Sequence, residues 1–231
     1  MNYKFANKVF NIKSLYDSFS IFAKEYITSQ KEDYTISINN TDVDEWLVNH
    51  PEDKDYPRSY LECLVIHKMI AEVLAKFDTY IIHGSSVSYK GKGYIFLAPS
   101  GVGKSTHVSL LKKKLGNELI NINDDKPFID KDFNLYGSPW DGKERLSNTI
   151  KAPLKGIFIL KRGITPSYKK LSPKEAITEV YSQIHIVDDV SSLDYVIRLC
   201  SSVPTYVIQV NMEQESIEQT IKLMELMSYE N

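Results

Sequence analysis

The stretch that most restricts what this chain can fold into runs from Tyr94 to Gly116, YIFLAPSGVGKSTHVSLLKKKLG. The apolar run Tyr94 to Leu97 predicts a buried strand. A short glycine-bearing turn follows, and Lys104-Ser105 opens a helix on which Val108, Leu111 and Leu115 recur at helical spacing. Gly116 stands where a C-cap glycine belongs. Ala98 to Ser105 has the form of a Walker-type loop, with Ala in place of its first Gly. Gly101 and Gly103 permit φ > 0, so successive backbone N–H groups can turn inward around phosphate oxygens. The helix N-terminus adds partial positive charge. Lys104 would place an ammonium on the β- and γ-phosphates and Ser105 a hydroxyl on Mg²⁺. The expected nucleotide-binding set is Ser100, Gly101, Val102, Gly103, Lys104, Ser105 and Thr106. A tight turn that merely uses glycine is the competing reading, and the Lys-Ser pair with its flanking strand and helix argues against it.

The chain has 231 residues, enough for one large or two small domains. Hydrophobic residues at 42% and charged residues at 25% are the balance of a globular protein with a proper core. A net charge of −2 gives no bulk attraction to nucleic acid or to an anionic membrane. The basic run Lys112-Lys113-Lys114 reads as a solvated helix face. Cys63 and Cys200 lie in apolar helical patterns and are expected as buried free thiols, and no Cys/His spacing of metal-binding type is present. The N-terminus lacks a long apolar region and no stretch is apolar enough to span a bilayer. The expectation is a cytoplasmic chain with access to ATP.

Residues 1–58 are expected to form a small N-terminal module and 59–231 the main domain. In the module, Val9 to Ile12 and Tyr34 to Ile38 read as strands, Leu15 to Ile27 fits helix or irregular chain, and Asn39 to Pro57 is turn-rich with Trp46-Leu47-Val48 as an anchor. The module either shapes a substrate entrance or covers a sheet edge. Ser59 and Glu62 form a capping box for a helix striped by Leu61, Leu64, Val65, Met69, Val73 and Phe77. Tyr80 to Ile82 is a strand ending at His83. Val87 to Tyr89 and Tyr94 to Leu97 are strands joined by a glycine hairpin, so the strand feeding the loop arrives from a hairpin rather than from a βαβ crossover. Strands at Leu119 to Asn123, Phe128-Ile129, Leu135-Tyr136, Gly156 to Leu160 and Pro204 to Val210 follow, with helices opening at Ser172, Val190 and Ser216. The expected fold is α/β, a P-loop core on a mixed, partly antiparallel sheet flanked by helices.

Asp124-Asp125 ends the strand after the loop helix, where a Walker-B-like carboxylate would neighbour the loop. One Asp can hold Mg²⁺ with Ser105 and the phosphates, and the other can take a proton from an attacking hydroxyl. The competing reading is an ordinary Asp-Asp turn before Lys126-Pro127. His83 could hydrogen-bond a carboxylate, tune its pKa or ligate a metal, or be structural. Lys143, Arg145, Lys161 and Arg162 are candidates for clamping the transferring phosphoryl group, with Lys143 foremost for its Gly-flanked loop. Each of the four also reads as a surface cation.

His83-Gly84-Ser85, the glycine hairpin, APSGVGKST from Ala98 to Thr106 and Asp124-Asp125 together resemble the catalytic domain of HPr kinase/phosphorylase and, in the same order, ATP-dependent phosphoenolpyruvate carboxykinase. Gly137 to Lys143, followed by APLKGIFIL, looks like the short HPr-kinase-like proteins associated with peptide-modification gene clusters. The resemblance covers about Tyr80 to Gly163. It implies ATP and Mg²⁺ as cofactors, phosphate binding by Lys104 and Ser105, Asp124 as the acid–base residue, Asp125 as a metal ligand (the two roles being exchangeable) and His83 as support for a carboxylate or a second metal. Thr106 stands where HPr kinase has an acidic residue, as in a carboxykinase. The phosphorylase signature and the large N-terminal domain are not visible. The expected activity is therefore transfer of the γ-phosphoryl group to a hydroxyl, that of a Ser or Thr in a peptide or small protein. A small-molecule kinase on the same core would need a closed pocket where a peptide needs an open groove. A non-catalytic nucleotide-binding adaptor would bind ATP without turnover. No nucleic-acid or membrane partner is expected, and homo-oligomerisation is left open.

Overall fold

A computed structural model of the chain describes residues 1–142 and 145–229, the side chain of Tyr229 excepted. It divides into two compact units, Met1–Phe77 and Asp78–Asn231. The helix expected to begin the main domain therefore belongs to the first unit. No helix among the described residues is long and apolar enough to cross a membrane.

In the first unit, β1 (Asn2–Phe5) pairs antiparallel with β2 (Lys8–Lys13), which pairs parallel with β3 (Tyr34–Ser37). Tyr3, Phe5, Phe10 and Phe19 form its aromatic core, Phe19 coming from the short helix α1 (Ser18–Phe22). The turn-rich segment contains α2 (Asn40–Asn49), opened by a capping box between Asn39 and Asp42. Val43 is its buried residue; of the expected anchor, Trp46 is half-buried, donates Nε1–H to Asp53 Oδ2 at 2.8 Å and stacks on His50, while Val48 is 80% exposed. The next helix, α3 (Arg58–Ala75), starts after Pro57 without a side-chain cap. Its Glu62 does not turn back to Ser59: the carboxylate is buried and accepts the N–H groups of Leu15 and Tyr16. The buried face runs through Leu61, Val65, Ile66, Ile70 and Leu74, rotated from the expected stripe.

The second unit is a mixed sheet with helices. Its elements are β4 (Tyr80–Ile81), β5 (Ser85–Tyr89), β6 (Lys92–Leu97), α4 (Lys104–Leu115), β7 (Leu119–Asn123), β8 (Phe128–Ile129), β9 (Asn134–Tyr136), β10 (Lys151–Arg162), β11 (Ser167–Lys170), α5 (Pro173–Tyr181), α6 (Asp189–Ser202), β12 (Thr205–Val210) and α7 (Gln214–Tyr229). Strand order is β4-β8-β9-β10-β6-β5-β7, with β12 also on β10 and β11 beyond it. The strand β10 is the axis. One edge pairs parallel with β6, while the other is shared by β9, antiparallel at Lys151–Pro153, and β12, parallel at Ile157–Arg162. The expected β5–β6 hairpin is present and its turn residues Lys90 and Gly91 have positive φ. Two of the pairings in this sheet, β6–β10 and β10–β12, are thus parallel, and the others are antiparallel.

Successive strand side chains face opposite sides. Tyr94, Phe96, Phe158 and Leu160 join α4 and α7 in one core with Val108, Leu111, Met224 and Met227. Ile95, Leu97, Ile157 and Ile159 have the opposite parity and are buried too, so the sheet centre is covered on both faces. The helix α5 is opened by the Ser172–Glu175 capping box with Pro at its first turn, and it packs on α6. Cys63 and Cys200 are buried free thiols, and burial pushes both up to about 12.

Candidate active site

The C-terminal ends of β6 and β7 and the segment entering β5 meet at one edge of the second unit. The geometry follows from the sheet: β5 is antiparallel to both neighbours, so its entrance lies beside their exits. Ala98–Gly103 leaves β6 with φ of +80° at Gly101 and +116° at Gly103, values that glycine adopts without a Cβ penalty. Gly103 is the N-cap of α4, and no side chain caps that helix. Its first amides therefore face outward from a helix end that favours an anion.

Lys104 is 8% exposed and turns back over the loop. Its Nζ donates to Ala98 O at 2.8 Å and to His83 Nε2 at 3.3 Å. Lysine carries no acceptor, so His83 Nε2 holds a lone pair and the ring proton sits on Nδ1, which donates to Gln183 Oε1 at 3.1 Å. Burial, then the adjacent Lys104 charge, hold the imidazole below its ordinary value, against the pull of Asp125. Burial likewise lowers Lys104, opposed by Asp125 and Asp124.

The two carboxylates sit in different surroundings. Asp124 is 7% exposed and accepts the Ser85 hydroxyl at 2.8 Å, with the Ser105 hydroxyl near enough to lower its pKa. Its own N–H donates to Asp141 Oδ1 at 2.7 Å. Burial raises its pKa, the two hydroxyls oppose that, and the charges of Asp141 and Asp125 add to it. Asp125 is more open, with Oδ1 at 3.4 Å from His83 Nε2. The turn holding both is fixed by Asn123, whose Oδ1 accepts the N–H groups of Asp125 and Lys126 and whose amide donates to Ser138 O.

Lys104, Ser105, His83, Asp124 and Asp125 are thus brought together. Lys143 lies outside the described residues. Of the other clamp candidates, Lys161 pairs with Glu179 at 2.9 Å. Arg162 donates to Gly101 O at 2.6 Å and Val102 O at 3.1 Å, a contact to the loop itself. Arg145 is exposed with φ of +48°, and its N–H donates to Gly142 O at 3.1 Å. Sequence reasoning missed Ser85, Asp141, Gln183 and the close approach of Gly142 to Asp124. Of these, Ser85 carried a signal, as the last residue of the His83-Gly84-Ser85 motif and one of three serines in the buried strand Ser85–Tyr89, and Asp141 fell within the Gly137 to Lys143 stretch without a role.

The chemistry of these residues fits a phosphate chain and a divalent ion. Uncapped helix amides and a lysine suit phosphate, and the Ser105 hydroxyl with the Asp124 and Asp125 carboxylates are oxygen donors of the kind Mg²⁺ takes. Among the described residues, no group of three His, Cys, Asp or Glu side chains could hold a metal alone. Phosphate and water oxygens would complete the shell, as Mg²⁺ prefers.

No family model matches the chain, and no curated protein does. Among solved structures it is similar to the Hpr(Ser) kinase/phosphatase from Coxiella burnetii, at 10% identity and a TM-score of 0.40, over 63% of this chain and 88% of that one. That is a distant structural relationship.

Proposed function

We propose that this chain is an ATP- and Mg²⁺-dependent kinase that transfers the γ-phosphoryl group to a hydroxyl, that of a serine or threonine in a peptide or small protein. The observation that carries the reading is the convergence of Lys104, at the head of the loop helix, with His83, Asp124 and Asp125 from two other segments. Mg²⁺, when bound, would neutralise charge on the phosphates. The loop amides and Lys104 bind and orient the phosphate chain. A carboxylate removes the acceptor proton as the acceptor oxygen bonds to the γ-phosphorus, the bond from that phosphorus to the bridging oxygen breaks, and ADP leaves.

The family resemblance gives the proton to Asp124 and the metal to Asp125. The nearness of Ser105 to the buried Asp124 and the openness of Asp125 favour the exchanged roles: Ser105 and Asp124 hold the ion, and Asp125, beside His83, takes the proton. The test is paired. Asp125→Asn should abolish transfer and leave Mg²⁺-ATP binding intact, whereas Asp124→Asn should weaken Mg²⁺-dependent binding. The reverse pattern restores the roles that the family implies.

Nucleotide binding itself is read by thermal unfolding. Mg²⁺-ATP at a hundred times its Kd stabilises by ~2.7 kcal/mol, which for a chain of this size raises the midpoint by roughly 5–10 °C. Lys104→Ala should lose the shift. No shift in wild type with any nucleotide, or binding without transfer to peptide or water, overturns the kinase reading.

A further inference from the structure

Between the ends of β6 and β10 and the helix α5 lies a cavity of about 430 Å³. Its walls are largely apolar, from Leu97, Pro99 and Val102 on the loop side and Ile159 and Leu160 on the β10 side. Gln183 also lines it, and Gln183 is the residue that accepts the His83 Nδ1 proton. A second cavity, about 420 Å³, lies along β11, β12 and α5 and is lined mainly by polar and charged side chains, among them Lys169, Glu175 and Gln209. Lys161 and Glu179 line both, so the two cavities adjoin at the Lys161–Glu179 pair, 2.9 Å apart.

The first compartment sits where an acceptor would approach. In a loop of this type the amides at the helix end receive the α- and β-phosphates, and the lysine reaches toward the γ-phosphate. The nucleoside then leaves on the helix side. The cavity is walled by the first residues of the loop and by the partner of His83, which puts it on the γ side. A volume of this size lies in the range of small-ligand clefts and holds more than one leucine or phenylalanine side chain, and the adjoining polar cavity extends the site further, which suits a chain over a compact small molecule.

We infer that the acceptor is an extended peptide segment lying along this groove, with a large apolar side chain beside the hydroxyl residue seated in the compartment next to the glycine loop and polar side chains following over β11 and β12. This deepens the kinase reading and rests on it.

The test uses the full chain, Mg²⁺-ATP and a positional library of short peptides with a fixed central serine. Wild type should favour Leu, Met or Phe over Ala at one position beside the serine by roughly tenfold in kcat/KM, the worth of burying such a side chain. Ser182→Trp narrows the same compartment from the end of α5. It should raise KM for the apolar peptide by about tenfold relative to the Ala peptide, a difference that a general effect through Gln183, whose Nε2 donates to Ser182 Oγ, would not produce. Ser182→Thr, which keeps the hydroxyl that accepts from Gln183 Nε2 and adds little bulk, should behave as wild type and so separates filling from misfolding. If transfer occurs with no apolar preference, or if Ser182→Trp raises KM for ATP instead, the groove assignment is overturned while the kinase reading stands. If no transfer to peptide or water occurs, both fall.

Discussion

A methyl group placed on Gly142 would lie 2.7 Å from Asp124 Oδ2 and 3.3 Å from its Cγ. Asp124 cannot easily yield, because its side chain is held by Ser85 and its backbone N–H by Asp141. Gly142→Ala should therefore displace the carboxylate from Ser105, with transfer falling by at least about tenfold and thermal stability changing by only ~1 kcal/mol. A variant with normal turnover would show that Asp124 need not hold this position. The residues on either side of this contact differ in how visible they are in sequence. Lys104, Ser105 and Asp124-Asp125 stand out because local spacing carries their chemistry. Ser85 reaches Asp124 across 39 positions and Gln183 reaches His83 across 100, and no local pattern reports such pairings. Asp141 was equally hidden, since an acid in a polar loop has no distinguishing neighbour.

At the scale of elements, the end of β10 steadies the glycine loop. Arg162 donates to the carbonyls of Gly101 and Val102, residues whose N–H groups are expected to turn toward phosphate. Its hydrogen bonds are charge-assisted but exposed to solvent, so they are discounted to about 1 kcal/mol together. Arg162→Met should weaken Mg²⁺-ATP binding roughly fivefold by releasing the loop, with little change in turnover at saturating ATP, as titration calorimetry and saturation kinetics would show. A fall in turnover with unchanged binding would instead make Arg162 a phosphoryl clamp. Elements with strong apolar periodicity or clear punctuation, such as β6, α4 and α5, were legible. The helix α2 was not, because it buries chiefly Val43 and its capping box uses Asp in place of Glu or Gln. The strand β11 was not either, since all four of its residues are exposed and it is held by backbone pairing to β12. In α3 the presence of a helix was legible and its facing was not, because a buried Glu62 serving two amides of Leu15 and Tyr16 breaks the rule that acids face water.

For the whole molecule, the division of one β10 edge between β9 and β12 was beyond reach of sequence, since pairing partners are set by packing of both sheet faces. The same packing determines how the second unit responds to acid. His107 lies on α4, 2% exposed, with its ring edge-on to Phe96 and Nε2 at 3.0 Å from Thr220 Oγ1 on α7. Its Nδ1 is buried without a hydrogen-bond partner. Burial lowers its pKa from 6.5 to about 4. A lowered folded-state pKa on a base means that the unfolded chain binds the proton first. Stability is then fully present above pH 6.5 and declines as pH falls toward 4, by ~3 kcal/mol over that window. His83, also lowered, acts in the same direction, while Asp124, whose pKa is raised, acts in the opposite one. His107→Leu isolates the contribution. Thr220 keeps its bond to Ser216 O at 3.1 Å, so the variant should differ little from wild type at neutral pH. Denaturant unfolding at a series of pH values should then show the variant losing ~3 kcal/mol less than wild type on acidification. Parallel pH profiles for the two proteins would mean that His107 takes up its proton in the folded state near its ordinary pKa, and that water or local opening reaches this core.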